Sequence, residues 1–335
     1  MLILVLGGTS WLGGEVARVG LVRGHAVTAL ARGESGQAPP GVTFVRADRG
    51  EDTAYDQVRD QGWDGVVDVS WQPGFVRGAV AALAGHTGTW VYVSSGSAYA
   101  THNLIGADES AAVLPALDGD TADREQYGEA KVACERAVLH GVGEDKVVIA
   151  RSGLIGGPGD VSGRTGYWPL RFAHPSTDDG TVLVPADQHI STQVVDVRDL
   201  ALWLVRCIED TVRGVFNVSG PATPLSAHLA AARSVAGHNG PLVAMDNQWL
   251  VAHEVHEWAG PRSLPLWLHS ADSAGFAARC TDAAVASGLA CRPLEQTLTD
   301  VLAWEIAQGP DRPRRAGLSS DDERQLIEAA AREHD

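Results

Sequence analysis

The chain has 335 residues, with 42 acidic against 26 basic side chains and a formal net charge of -16. That length holds one large domain or two, and that charge argues against a nucleic-acid or anionic-membrane surface and for a small-molecule partner. Cys134, Cys207, Cys280 and Cys291 show no C-x-x-C spacing, so neither a zinc site nor a redox pair is expected, and free thiols suit a reducing cytoplasm.

Leu2-Ile3-Leu4-Val5-Leu6 is a short apolar run that starts right after Met1, so no signal peptide is expected. No apolar stretch approaches the roughly 18 residues that span a bilayer. Gly7-Gly8-Thr9-Ser10-Trp11-Leu12-Gly13-Gly14 follows directly and predicts a buried strand, a tight turn and a helix running to about Arg23. Ala26 to Leu30 reads as the second strand. This is a βαβ unit of dinucleotide-binding type, in which the helix start offers free N–H groups to a pyrophosphate and the glycines let the backbone approach it. Val42 to Asp48, Gly65 to Val69 and Trp90 to Ser94 read as the third, fourth and fifth strands, with helical stretches between. The alternation predicts an α/β fold with a doubly wound parallel sheet.

The fifth strand ends in Ser94-Ser95-Gly96-Ser97-Ala98-Tyr99, a hydroxyl cluster at the carboxyl end of a strand, where α/β sheets place ligands. Ser95 is the candidate to hydrogen-bond a substrate oxygen; Ser94 and Ser97 serve equally well as turn formers. A loop of little periodicity, about Thr101 to Gly119, borders the site and leads into a helix predicted over Thr121 to Leu139. On that helix Tyr127 and Lys131, one of only two lysines in the chain, stand four residues apart. Positions i and i+4 share a face, so phenol and ammonium project into one cleft. A neighbouring cation favours phenolate and makes a tyrosine usable as proton donor and acceptor near neutrality.

Lys146 to Arg151 is the sixth strand. Beyond Gly156 the pattern breaks at Pro158, Pro169, Pro175 and Pro185, then Val194 to Glu209 returns to a strand followed by a helix. From Pro221 helices dominate, with Trp249, Trp258, Trp267 and Trp304 expected to pack a cap core. Leu318 to Arg332 predicts a terminal amphipathic helix started at Ser319 or Ser320. The expected division is 1–155 with 190–219 for the dinucleotide, and 156–189 with 220–335 for a smaller, mainly helical substrate-binding cap. His253-Glu254-Val255-His256-Glu257 falls one residue short of the H-E-x-x-H zinc signature and reads as a polar helix face.

Together these motifs resemble the extended short-chain dehydrogenase/reductase family of the NAD-dependent epimerase/dehydratase type. Besides the glycine turn and Tyr-x-x-x-Lys, the likeness rests on Val91 to Tyr99, Arg151 to Pro158, Val195 to Ala201 and Gly214 to Val218, and it covers most of the chain. Within the family the sequence is most like actinobacterial members called simply reductases, which share Ala316-Gly317-Leu318-Ser319. The resemblance implies a Rossmann domain, a bound NAD(P) and an enzyme in which Ser95 orients a carbonyl and Tyr127 passes the proton. Lys131 would lower the tyrosine pKa and hold the nicotinamide ribose. It further implies cofactor contacts from Gly7, Thr9, Ser10, Trp11, Leu12 and Gly13, and from Asp48 to the adenine amino group with Arg49 stacking beside it. Val69, Ser70, Ser94, Gly153 and Leu154 complete the set.

Where an NAD enzyme places an acid, the second strand ends Leu30-Ala31-Arg32-Gly33, and an arginine there suits the 2′-phosphate of NADP. Ser10 adds a further donor, while Glu34 keeps NAD as the second choice. Two departures narrow the chemistry. Ser95 is followed by Gly96 and Ser97 where sugar-nucleotide dehydratases of the family carry an Asp-Glu pair, and Leu154 stands where nucleotide-sugar members tend to carry asparagine. The expectation is therefore an NADP-dependent reductase or dehydrogenase of a largely apolar or aromatic carbonyl or alcohol, in secondary metabolism, acting as a monomer or homodimer. Trp71, Gln72, Ser97, Tyr167, Trp168 and Gln193 are its candidate pocket residues. An epimerase of a sugar derivative, which needs only the triad, and a non-catalytic dinucleotide-binding protein are the alternatives.

Overall fold

Short runs rich in valine, leucine and alanine, buried on both sides except in the edge strand Thr43–Arg46, supply the strands that a parallel sheet with two covered faces requires. In the computed structural model, which describes residues 1–187, 190–309 and 312–334, the first half of the chain gives β1 (Leu2–Leu6), α1 (Trp11–Val22), β2 (Ala26–Ala31), β3 (Thr43–Arg46), β4 (Trp63–Asp68), α2 (Pro73–Leu83), β5 (Thr87–Ser95), α3 (Tyr127–Val142) and β6 (Val147–Ser152). Then come β7 (Leu154–Gly156), α4 (Tyr167–Ala173), β8 (Val182–Pro185), β9 (Ser191–Thr192), β10 (Val194–Asp196), α5 (Val197–Glu209) and β11 (Gly214–Val218). Seven strands form one sheet in the order β3-β2-β1-β4-β5-β6-β11, every neighbouring pair parallel. This is the doubly wound architecture expected.

Successive residues of a strand point to opposite faces, and β1 shows the result. Ile3 and Val5 are buried with Val16 of α1 and Trp203 and Leu204 of α5. Leu4 and Leu6 are buried on the other side with Val76 and Leu83 of α2 and Cys134 and Val138 of α3. Strand order reverses at β1, between β2 and β4, which opens a crevice beyond the carboxyl ends of these strands.

The helix that carries Tyr127 starts later than its expected Thr121. The Asp123 carboxylate accepts the N–H groups of Glu125 and Gln126 at 2.9 and 3.0 Å, holding those residues in a turn, and α3 begins only at Tyr127. Gly128 lets its first turn close on the serine cluster: a Cβ there would lie 2.4 Å from the Ser97 carbonyl oxygen.

The remaining chain gives β12 (Thr223–Pro224), α6 (Leu225–Val235), β13 (Leu242–Met245), α7 (Asn247–Ala252), α8 (Asp282–Ala286), α9 (Leu294–Gln308) and α10 (Ser320–His334). Residues from α4, α6, α9 and α10 surround a second core around Trp168, Phe172 and Trp267, against which Trp249 and Trp258 are partly buried. Trp304 does not join it; the Arg312 guanidinium lies over its ring at 4.8 Å. Ala284 and Leu289, from the stretch expected in the cap, are buried with the sheet core instead.

The His253 to Glu257 segment is not a helix face. The helix ends at Ala252, Glu254 takes φ 57°, and His256–Glu257 pairs as a strand with Ser263–Leu264. Among the described residues no cluster of histidine, cysteine or carboxylate side chains could hold a metal ion, and no helix is long and apolar enough to cross a membrane. All four cysteines are free.

Candidate active site

Two cavities meet the carboxyl ends of the strands. One, of about 310 Å3, is bounded by the glycine turn, by Arg32, Asp48 and Arg49 after β2 and β3, and by Val69, Ser70 and Trp71 after β4. The turn is as tight as its sequence suggests: a Cβ on Gly13 would lie 2.2 Å from the Gly7 carbonyl oxygen, so no other residue permits this approach of helix to strand. Thr9 is buried within it, and Leu12 packs into the sheet core. Ser10 caps α1, accepting the Gly13 N–H at 3.2 Å and donating to the Gly7 carbonyl at 2.8 Å. Its hydroxyl is thus committed to the cap and is not the extra phosphate donor expected of it.

Arg32 stands half-exposed at the rim of this cavity, 3.2 Å from Glu34 and 3.7 Å from Asp48. Arg49 behaves otherwise than its expected stacking role. Its guanidinium is buried, bidentate to Asp68 at 2.8 and 2.7 Å, and bonded to the Tyr55 hydroxyl and the Phe75 carbonyl. Burial alone would lower its pKa, but Asp68 more than offsets this and holds it above the ordinary arginine value.

The second cavity, about 330 Å3, contains Ser95, Ser97 and Tyr127 together with Trp11, Gly153, Leu154 and Gln193. Ser95 ends β5 and accepts the Ser97 N–H at 3.1 Å, which fixes its hydroxyl at the mouth of the strand. One helical turn below Tyr127, Lys131 is almost fully buried and donates to the carbonyls of Ser70 at 2.8 Å and Val93 at 2.7 Å. Its Nζ lies 4.9 Å from the centre of the Tyr92 ring and 5.8 Å from that of Tyr127. An ammonium has three donors, so one N–H remains without a protein acceptor among the described residues. Trp71 packs its ring 5.5 Å from that of Tyr127, closing the junction of the two cavities.

The walls of this pocket are mixed: Trp11, Leu154, Ile155, Val218, Trp258 and Phe276 give the apolar surface expected, and charged side chains that were not expected stand among them. Arg151, Arg164 and Arg279 line it with Asp160 and Asn217. Arg151 pairs with Glu135 through two bonds of 3.0 and 2.8 Å; burial opposes its charge, but Glu135 holds its pKa above the ordinary value. Arg164 and Arg279 have no carboxylate partner among the described residues. Burial pulls both below the ordinary arginine value, and for Arg164 the nearby Asp160 offsets it only in part. Instead of carboxylates they have aromatic faces: Arg164 lies 4.9 Å from the Trp258 ring centre and Arg279 3.7 Å from that of Tyr99.

Several candidates fall elsewhere. Ser94 is buried and donates to Glu135 at 2.5 Å, so its hydroxyl faces the core rather than a cofactor. Both ends of the Gln72 amide bond the Ala122 main chain at 3.0 and 2.9 Å, tying down the approach to α3. Tyr167 and Trp168 belong to the cap core, Trp168 donating to the Pro265 carbonyl at 2.8 Å. Gln193 does line the pocket, but its amide bonds both main-chain groups of Arg279, at 2.9 and 3.1 Å, and so sets that arginine in place. Trp11 reaches the pocket with its indole N–H on the Pro158 carbonyl at 2.8 Å.

No family model and no curated protein sequence matches the chain. Among solved structures it is similar to a candidate epimerase from Burkholderia cenocepacia J2315, at 22% identity over 91% of this chain and 98% of that one, with a TM-score of 0.67. It is similar also to a UDP-Glc/GlcNAc 4-epimerase from Campylobacter jejuni, at 14% identity over 91% and 99% with a TM-score of 0.66. The UDP-glucose 4-epimerase of Bifidobacterium longum, solved with NAD+ and UDP, matches at 15% identity over 93% and 99% with a TM-score of 0.64. Likeness at these identities establishes architecture, and the architecture is that of the sugar epimerases of the extended short-chain dehydrogenase/reductase type, the family that the motifs of this chain resemble.

Proposed function

We propose that the protein is a nicotinamide-dinucleotide-dependent enzyme of the epimerase/dehydratase type, and that it epimerises an anionic sugar derivative such as a sugar nucleotide. The observation that carries this reading is the pair Arg164 and Arg279, lodged beside Ser95 and Tyr127 without carboxylate partners among the described residues. Their protein acceptors are neutral, Ser162 for Arg164 and the Thr101 carbonyl and His102 for Arg279, and a buried cation without a counter-ion is costly, so a ligand anion supplies what they lack. The fold shared with UDP-sugar 4-epimerases supports the same choice.

The glycine crevice fits a dinucleotide, since its close approach of helix to strand excludes a Cβ at Gly13. When bound, the dinucleotide supplies the hydride acceptor and, on the return step, the donor. Ser95 orients the reacting oxygen. Tyr127 takes the proton as the alcohol becomes a carbonyl and gives it back as the alcohol reforms. Lys131, with one N–H to spare, holds the ribose and keeps a positive charge under the phenol. A substrate carbonyl that turns over between the two steps presents its other face, and the epimer forms without net oxidation. With Gly96 and Ser97 where an acid pair would stand, loss of water has no acid and base of its own.

A second reading, an NADP-dependent reductase, is favoured by Arg32. Its pairs with Glu34 and Asp48 are exposed and therefore weak, whereas a 2′-phosphate accepts two charge-assisted bonds. Incubation with UDP-glucose or UDP-N-acetylglucosamine and each dinucleotide separates the readings. Epimerised sugar with no change in dinucleotide absorbance supports the first; stoichiometric NADPH oxidation on a ketone panel moves the assignment to the second. Neither, with tight dinucleotide binding, leaves a binding protein.

A further inference from the structure

Lys131 is held by main-chain carbonyls, and one of those carbonyls is itself held. Asp68, the last residue of β4, accepts the Ser70 N–H at 2.9 Å. The Ser70 carbonyl then receives Lys131 Nζ at 2.8 Å and the Tyr92 hydroxyl at 3.0 Å. Asp68 is fully buried, and so nearly is its partner Arg49, which is pinned in turn by Tyr55 at 2.9 Å and by the Phe75 carbonyl at 2.8 Å. A buried ion pair gains little over apolar residues of the same volume. What an apolar pair could not do here is accept the Ser70 N–H.

We propose that Asp68, locked in place by Arg49, is a positioning residue for the Lys131 ammonium and acts through the Ser70 main chain. The catalytic duty of Lys131 rests on the reading above; the relay that fixes the ammonium does not. It joins the two cavities, since Arg49 borders the dinucleotide crevice and Lys131 lies under Tyr127.

Lys131 and Lys146 are the only lysines of the chain, so limiting acylation with N-hydroxysuccinimidyl acetate, read by peptide mass spectrometry, measures one against the other. In the Arg49→Met/Asp68→Asn protein both charges are removed and the amide oxygen still accepts from Ser70. In Arg49→Met/Asp68→Ala the acceptor is removed as well. The ratio of Lys131 to Lys146 labelling is expected to stay at its wild-type value in the first and to rise about tenfold in the second, the weight of one hydrogen bond. If the alanine form does not fold, Arg49→Met/Asp68→Leu, which fills the volume without an acceptor, takes its place with the same expected outcome. Equal ratios in the asparagine form and the acceptor-free form, whether low or high, overturn the proposal. Neither substrate nor dinucleotide enters the measurement, so its failure is distinct from failure of the enzyme reading.

Discussion

The guanidinium of Arg279 stacks on the ring of Tyr99, 3.7 Å from its centroid, while Arg151 lies 4.7 Å from the centroid of that same ring. Arg151 is ion-paired with Glu135, whereas Arg279 has no carboxylate within ion-pair distance among the described residues, so one aromatic carries two cations of which one is unpaired.

That shortfall sets the first prediction. Arg279→Gln should keep the fold, because the Gln193 amide bonds to its main chain remain, yet remove the charge that a substrate anion meets. KM should rise about tenfold or more while kcat changes far less, as loss of a charge-assisted bond implies. Steady-state kinetics across a salt series checks it: the wild type should lose affinity with ionic strength more steeply than the variant, which keeps Arg164.

Tyr127→Phe deletes one hydroxyl from a half-buried ring. Dinucleotide affinity, followed by tryptophan fluorescence, should hardly move, whereas turnover should fall by about 10² or more for want of a proton donor. Activity retained on the true substrate would remove Tyr127 from the mechanism.

Arg32→Asp should turn a preference for NADP(H) into one for NAD(H). The new acid repels a 2′-phosphate and accepts from a 2′-hydroxyl, and Asp48 and Glu34 already stand within 4 Å of the arginine to reinforce the repulsion. Titration of both cofactors into both proteins reads it directly. Tighter NAD(H) than NADP(H) binding by the wild type would end this account of Arg32.

His228 couples stability to pH. It is a buried residue of α6, its Nδ1 3.5 Å from the hydroxyl of Thr192 on β9 and its Nε2 unpartnered among the described residues, and burial pulls its pKa from 6.5 down to about 4. Unfolded chains therefore take up a proton below pH 6.5 that the native state refuses, and stability is lost as pH falls from 6.5 towards 4. The loss amounts to something on the order of 3 kcal/mol. Urea melts at several pH values should show this slope in the wild type, with His228→Leu flatter over the same window.

The elements that position the site could be read from the chain because local chemistry determines them. An apolar run, a glycine turn and a serine-rich strand end gave strands and turns where the structure has them, and the four-residue spacing of Tyr127 and Lys131 holds on α3. Legibility stopped where a residue's role depends on a distant partner. Arg49 follows Asp48 in sequence, but its guanidinium belongs to Asp68, on the next strand. Tyr167 and Trp168 were expected in the pocket; large aromatics gain most from full burial, and the cap core took them. Arg164 and Arg279 come together only through the cap, and no periodicity near either one announces a pocket wall. Leu154 suggested an apolar cavity, yet one aliphatic side chain says nothing of the three arginines beside it.

The last strand of the sheet, β11, pairs with β6 from Gly214↔Val148 to Val218↔Ser152, after the chain has already left to build part of the cap. During vectorial synthesis β6, all of whose residues end up buried, waits with a bare edge until Gly214–Val218 emerges. An unpaired apolar edge is a template for aggregation. A fragment cut after β6 would therefore keep the glycine turn, the serines, Tyr127 and Lys131 and still be a poor reagent, since what protects its sheet lies beyond the cut.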